Sequence, residues 1–269
     1  RQEGSRRRDG RLLEDPDMSQ SATLQPQRSF RDVLAHTGLL PIAMVVIVIV
    51  MAVIEPRFFS ISNVISISRE FAFIGLFTVA QAIVIIGGAM DLSFGAIIAL
   101  SSVTAALTMS ALAASGMESE FMIALIGCLA GLGVGVVAGV LNGLLSTYLK
   151  TLPMVVTIGT STVLTGLIFY VTYGIPIYGV PTGMITSLGR GSFLGFPVMF
   201  WCVVLLIGVA WFVMSKTQIG RHIYAYGGNQ VTAELAGIKR GKILTLVFVQ
   251  AGLLAAVAGL FYTARLGSG

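Results

Sequence analysis

Residues 83–98 read IVIIGGAMDLSFGAII, and the placement of that stretch decides how the chain is organised. Asp91 is the only ionisable side chain between Phe71 and Met117. A carboxylate at the centre of a membrane helix costs about 2.5–3.5 kcal/mol on insertion scales, so something must hold it. Two placements stand. In the first, GGAMDLSFG is a short inner turn, where the carboxylate meets water or caps the following helix, whose dipole favours negative charge. In the second, the glycines break a helix and the freed backbone groups line a polar cavity. Non-helical backbone at membrane depth is tolerated only where protein or water satisfies it.

The residues around this stretch set the class. Hydrophobic residues make up 55% of the 269 and charged residues 11%. The mean hydropathy is +0.90. A soluble domain carries about 25% charged residues, so this chain has too few to cover a water-facing surface. The fold class is all-α, a polytopic helical membrane bundle. Its apolar runs approach the length of about 20 residues that crosses a bilayer. Seven are expected: Gly38–Ile54, Phe71–Ile86, Ala96–Ala114, Phe121–Leu149, Pro153–Tyr173, Pro197–Met214 and Ile243–Ala264. The second is short, and the fourth is long enough to tilt.

Residues 1–37 form a polar tail without apolar periodicity and read as a disordered cytoplasmic segment. No apolar stretch closely follows its arginines, so it is not a signal peptide, and Met18 offers a natural start. Residues 38–269 form the transmembrane domain. With the N-terminus inside, inner segments hold thirteen of the seventeen Lys and Arg residues, which places the N-terminus in the cytoplasm. Cys128 and Cys202 sit in apolar runs as small hydrophobes, and His36 and His222 lie far apart, so no metal site is expected.

Three patterns carry further information. Gly127, Gly131, Gly135, Gly139 and Gly143 recur every four residues, a helix stripe that admits another helix closely. Polar residues enter the apolar runs at Gln81, Ser93, Asn142, Thr157, Thr160, Ser161 and Thr162. Serine and threonine can satisfy carbonyls within their own helix, but the amides of Gln81 and Asn142 need partners, such as another helix or a sugar hydroxyl. Finally, the inner loop 215–242 reads SKTQIGRHIYAYGGNQVTAELAGIKRGK. Asn229 is placed to cap a short helix through Glu234 and Leu235, with Gly237 as its stop. Two turns do not stand alone in water, so this helix needs a docking surface, either anionic lipid or a partner protein.

GGAMDLSFGAIIAL, GVLNGLLSTYLKTLPMVVTIGT and GRHIYAYGGNQVTAELAGI together resemble the membrane permeases of ribose-type ABC importers, in the superfamily that includes branched-chain amino-acid permeases. The resemblance runs in order from about Pro56 to Gly269. It implies a non-catalytic subunit of the bacterial inner membrane that binds no cofactor, with ATP held by a separate ABC ATP-binding subunit. It also implies a second permease copy and a periplasmic or lipid-anchored sugar-binding protein. Gln81, Asp91, Ser93, Asn142, Thr157 and Thr160 are then candidates for the translocation path. Gly220, Arg221, Asn229, Ala233, Glu234, Leu235, Ala236 and Gly237 become the ATPase-coupling segment. Val231, Ala233, Leu235 and Ala236 are expected to meet the ATPase groove. Relatives of this pattern continue past ARLGSG with further spans, so the resemblance implies a chain truncated at its C-terminus.

Other functions remain to be weighed. A furanose signal molecule or a branched-chain amino acid would suit the same superfamily. A secondary transporter would use Asp91 for ion coupling, since such carriers use broken helices, but would not need the loop 215–242. An intramembrane hydrolase would need a paired acid or histidine beside Asp91, and none accompanies it. The chain contains no G-x-x-x-x-G-K-[ST] loop of its own.

Overall fold

A computed structural model describes residues 39–55 and 57–269. The expected tail 1–37, the start at Met18 and the first residue of the first span, Gly38, lie outside the described residues. The chain divides into two units after Phe58. The first contributes one described helix, α1 (Leu39–Ile54), whose sixteen residues carry no charge. Its described residues form a shorter apolar helix than the others.

The second unit, Phe59–Gly269, holds α2 (Ile61–Ile86), α3 (Phe94–Ala114), α4 (Glu120–Tyr148), α5 (Pro153–Thr172), α6 (Val198–Lys216), α7 (Gln218–Gly228), α8 (Gln230–Leu235) and α9 (Arg240–Leu266). Six helices among the described residues are long and apolar enough to cross a membrane: α2 to α6 and α9. Between α5 and α6, a helical turn at Thr182–Met184 runs into a π-helical turn at Ile185–Gly189. A small hairpin follows, pairing β1 (Ser192–Phe193) with β2 (Phe196–Pro197).

The expected short second span is corrected. α2 begins at Ile61, capped by Ser60, whose hydroxyl accepts from the Asn63 amide, and runs for 26 residues. Ser66 and Ser68 dilute the hydropathy there, yet each hydroxyl donates to the carbonyl four residues back and so stays inside the helix. The glycine stripe of α4 performs as a close-packing surface. A Cβ built on Gly135 would meet the Gly252 carbonyl oxygen and Ala256, and one on Gly139 would meet the Phe248 carbonyl. Gly143 lies against the Thr245 backbone, while Gly127 and Gly131 face Met109, Ala105 and Ser101 of α3. Glycine lets these backbones touch. The facing surface of α9 supplies its own small residues, and Gly252 reaches the Gly135 carbonyl in return.

As a result α9 is the centre of the unit. It packs against α4, α3 and α2, and most of its length is buried. Helices α5 and α6 are mostly exposed within the unit. The chain's last residues tie back to the α5–α6 connection, where Gly269 and Ile177 exchange two backbone hydrogen bonds of 2.9 Å. Arg265 at the end of α9 pairs with Glu70 of α2 at 2.8 Å and lies over the Phe73 ring.

Candidate functional site at the helix break

Helix α2 stops where Gly87 and Ala89 donate to the Ile83 and Val84 carbonyls, and Gly88 then takes φ +75, which needs glycine. Residues 87–93 are non-helical until α3 opens at Phe94. This break crosses the bundle interior, and Asp91 is 3% exposed. Its Oδ1 accepts from the Ser93 amide at 2.8 Å and from the Ser93 hydroxyl at 2.6 Å. The Asn142 amide nitrogen of α4 donates to the same hydroxyl at 2.8 Å. Gln81 of α2 donates to the Asp91 carbonyl at 2.7 Å, and the Leu92 amide donates to the Thr157 hydroxyl of α5 at 3.1 Å.

Four helices therefore converge on seven residues of irregular chain. Both placements read from the sequence are partly realised: the segment is a turn between two helices, and its carboxylate is buried and held through Oδ1 by Ser93. Five of the six translocation-path candidates, Gln81, Asp91, Ser93, Asn142 and Thr157, share this hydrogen-bonded cluster. Thr160, one turn further along α5, is half-buried and joins none of these bonds. Asp91 Oδ2 and Asn142 Oδ1 are buried acceptors left without a protein donor. Buried polar atoms are normally paired with protein or water, so these two have capacity for a further donor.

The segment 215–242 touches the break through Gly227 and Gln230. Its expected bounds shift, because Ser215 and Lys216 close α6 and residues 240–242 open α9. Helix α7 was not anticipated. Thr217 caps it by accepting from the Gly220 amide at 3.3 Å, and Gly220, Ile223 and Tyr226 form its buried face. That three-residue spacing was a usable signal, submerged among polar neighbours. Gly220 touches the Met214 backbone at the end of α6. At the other end of α7, Gly227 lies against the Ile86 carbonyl, and Gln230 approaches Gly88. Arg221 is exposed. Burial pushes the Tyr226 hydroxyl above its ordinary pKa, against the opposing pull of Arg240.

Helix α8 matches the capped helix read from the sequence. Asn229 Oδ1 accepts from the Thr232 amide at 3.0 Å, and Gly237 takes φ +87 while its amide returns to the Glu234 carbonyl. One expectation about its surface is corrected. Ala233 is 5% exposed and packs into its own chain, because its small side chain sits on the side that docks to the bundle. Val231 at 70% and Leu235 at 85% exposed are the apolar residues that face outward, with Glu234 and Ala236 beside them.

A six-span apolar bundle with a buried polar break and a capped helix set against that break defines a multi-pass membrane protein with a polar interior site. The family described as "Branched-chain amino acid transport system / permease component" matches residues 63–269, and the chain belongs to that permease family. The ribose import permease protein RbsC of Haemophilus influenzae is 34% identical over 237 residues, which cover 84% of this chain and 68% of the relative. RbsC of Bacillus subtilis is 36% identical over 83% of this chain and 67% of its own length. The D-allose transport system permease protein AlsC of Escherichia coli is 30% identical over 83% and 66% respectively. No solved structure matches the chain.

Proposed function

We propose that this chain is the membrane permease subunit of an ABC importer that carries a monosaccharide, ribose or a close relative, across the bacterial inner membrane. The observation that carries the reading is its identity to two ribose import permeases over two thirds or more of their length. The similarity to a D-allose permease supports a sugar as the solute class. In this reading the N-terminus and the face bearing α7 and α8 are cytoplasmic, and ATP is bound and hydrolysed by a separate subunit. A second permease copy and a sugar-binding protein complete the assembly.

The geometry supplies a route for the coupling. An ATPase groove would take Val231 and Leu235 of α8, and a shift there reaches Gly88 through Gln230 and Gly227. Gly88 is three residues from Asp91, whose cluster ties α2, α4 and α5 together. Asp91 thus organises the break, and the two open acceptors offer places for sugar hydroxyls or water. Reconstitution with the ATP-binding and sugar-binding subunits tests the proposal. Ribose uptake that requires ATP and persists in the presence of an uncoupler is expected. Uptake that collapses with the proton gradient while ATP is maintained would assign the chain to the secondary transporters.

A further inference from the structure

On the face that carries α7 and α8, a cavity of about 390 Å³ opens between the α4–α5 turn and the start of α9. Lys150, Thr151, Tyr226, Gln230 and Arg240 line it with Gly88, and none of its lining residues is acidic. Among the described residues no carboxylate lies within ion-pair distance of Lys150 or Arg240. Arg240 Nη2 reaches the Ser146 carbonyl at 3.4 Å, but its Nε is buried without an acceptor.

The placement of these cations runs against local helix electrostatics. Arg240 is the first residue of α9, Lys239 is its cap, Lys242 follows, and the first turn holds no acid. Cations are favoured at the opposite end of a helix, so this turn repels its own dipole. Lys150 holds φ +50, a left-handed conformation that costs a non-glycine residue free energy, and this directs the chain into the turn bordering the cavity. Local rules broken together, beside a cavity, point to a site. An anion seated between Lys150 and Arg240 would satisfy both cations and the orphaned Nε. Arginine and lysine with hydroxyl and amide neighbours suit a phosphate oxygen set.

The rim identifies the source of that phosphate. Tyr148, Leu149 and Leu152 flank Lys150 and are exposed, and α5, which starts here, is mostly uncovered along its length. A cationic pocket beside an exposed apolar helix matches a headgroup joined to acyl chains. We propose that this cavity binds the phosphate of an anionic phospholipid, with the acyl chains lying along Leu149, Leu152 and α5. Because Gly88, Tyr226 and Gln230 form its inner wall, an occupied site also braces the contact between α7 and the helix break.

The test uses the purified full chain in mild detergent, with phosphatidylglycerol, phosphatidylcholine and inorganic phosphate as separate probes. Retained lipid is read by native mass spectrometry and stability by the unfolding midpoint. At about a hundredfold over its dissociation constant, phosphatidylglycerol should raise the midpoint by about 5–10 °C. Phosphatidylcholine and inorganic phosphate at equal concentration should not. Lys150→Gln, at an exposed position, should retain the fold and lose most of the shift, and the double variant with Arg240→Gln should lose bound lipid altogether. Equal lipid retention by the natural chain and Lys150→Gln would overturn the site, as would equal protection by phosphatidylcholine. Equal protection by inorganic phosphate would assign the pocket to a soluble anion and overturn the lipid as its occupant. None of these readouts depends on transport.

Discussion

Helix α4 contains an internal control for its own packing. Gly133 and Gly135 lie two residues apart, yet a Cβ on Gly133 would meet nothing within 4 Å, while one on Gly135 would lie 2.6 Å from Ala256 Cβ and collide with the Gly252 carbonyl. Carbon atoms prefer about 3.5–4.0 Å, so Gly135→Ala must part α4 from α9 by about 1 Å. Such a gap forfeits a quarter to a half of each contact, and each contact is worth about 0.1–0.2 kcal/mol. Spread over some tens of atom pairs along the seam, the loss comes to about 1–3 kcal/mol, the usual range for overpacking. Alanine gains about 1 kcal/mol over glycine in a helix interior at either position, so that contribution cancels between the two variants. Gly135→Ala should therefore be less stable than Gly133→Ala by about 1–3 kcal/mol, and Gly135→Leu should be worse still. Cys128 and Cys202 are free and half-buried, so a thiol-reactive dye reports their exposure as the protein unfolds on heating. Indistinguishable midpoints for Gly133→Ala and Gly135→Ala would refute the seam, and with it the central place of α9.

Asp91→Asn keeps an oxygen for Ser93 but removes the charge, so in the assembled transporter it should lower uptake at least tenfold while leaving membrane abundance close to normal; normal uptake by Asp91→Ala would reduce the residue to a helix cap. Leu235→Asp should abolish sugar-stimulated ATP hydrolysis and copurification of the ATPase with little change in thermal stability, since Leu235 faces outward. Ala233→Asp buries an unpaired charge against its own chain and should cost about 3–5 kcal/mol of stability, read as a lower unfolding midpoint even without any partner. Asn229→Ala removes the cap of α8, should cost about 1 kcal/mol locally, and should accelerate amide exchange at Thr232.

The sequence made visible those features that depend on spacing along the chain. The apolar runs gave the cores of α3 to α6 and of α9, and the cap and stop of α8 were readable because Asn229 and Gly237 act on their immediate neighbours. The four-residue glycine repeat announced a close contact but not its partner. Gly252 and Ala256 form the complementary surface on α9, while Gly259 admits the Ile98 carbonyl of α3, and their spacing was there to be read. Hydropathy missed the first turns of α2 because Arg69 and Glu70 stand before Phe71 and read as a loop, although Glu70 pairs with Arg265 of α9, and because Ser66 and Ser68 count as polar while bonding within their own helix. The inward turn of Ala233 could not be read at all. In a six-residue helix the buried side is chosen by what lies beneath it, and that surface is formed by residues distant in the chain. The bonds joining Asp91 to Asn142 through Ser93 span similar distances, so the sequence marked the members of the cluster without their connections.

The glycine seam also restricts how this protein can change shape. Packed helices ordinarily slide by small rotamer adjustments at the side chains between them, which act as a compliant layer. Between α4 and α9 that layer is missing, because Gly135, Gly139 and Gly252 set one main chain directly against the other. A slip of half a turn would drive carbonyl oxygens into helix walls that cannot yield. The two helices therefore travel as one rigid rod pair. In the proposed transport cycle, an opening toward either side of the membrane would be taken up elsewhere, at the irregular residues 87–93 and along the sparsely packed α5 and α6, with the pair as the fixed axle about which those elements would turn.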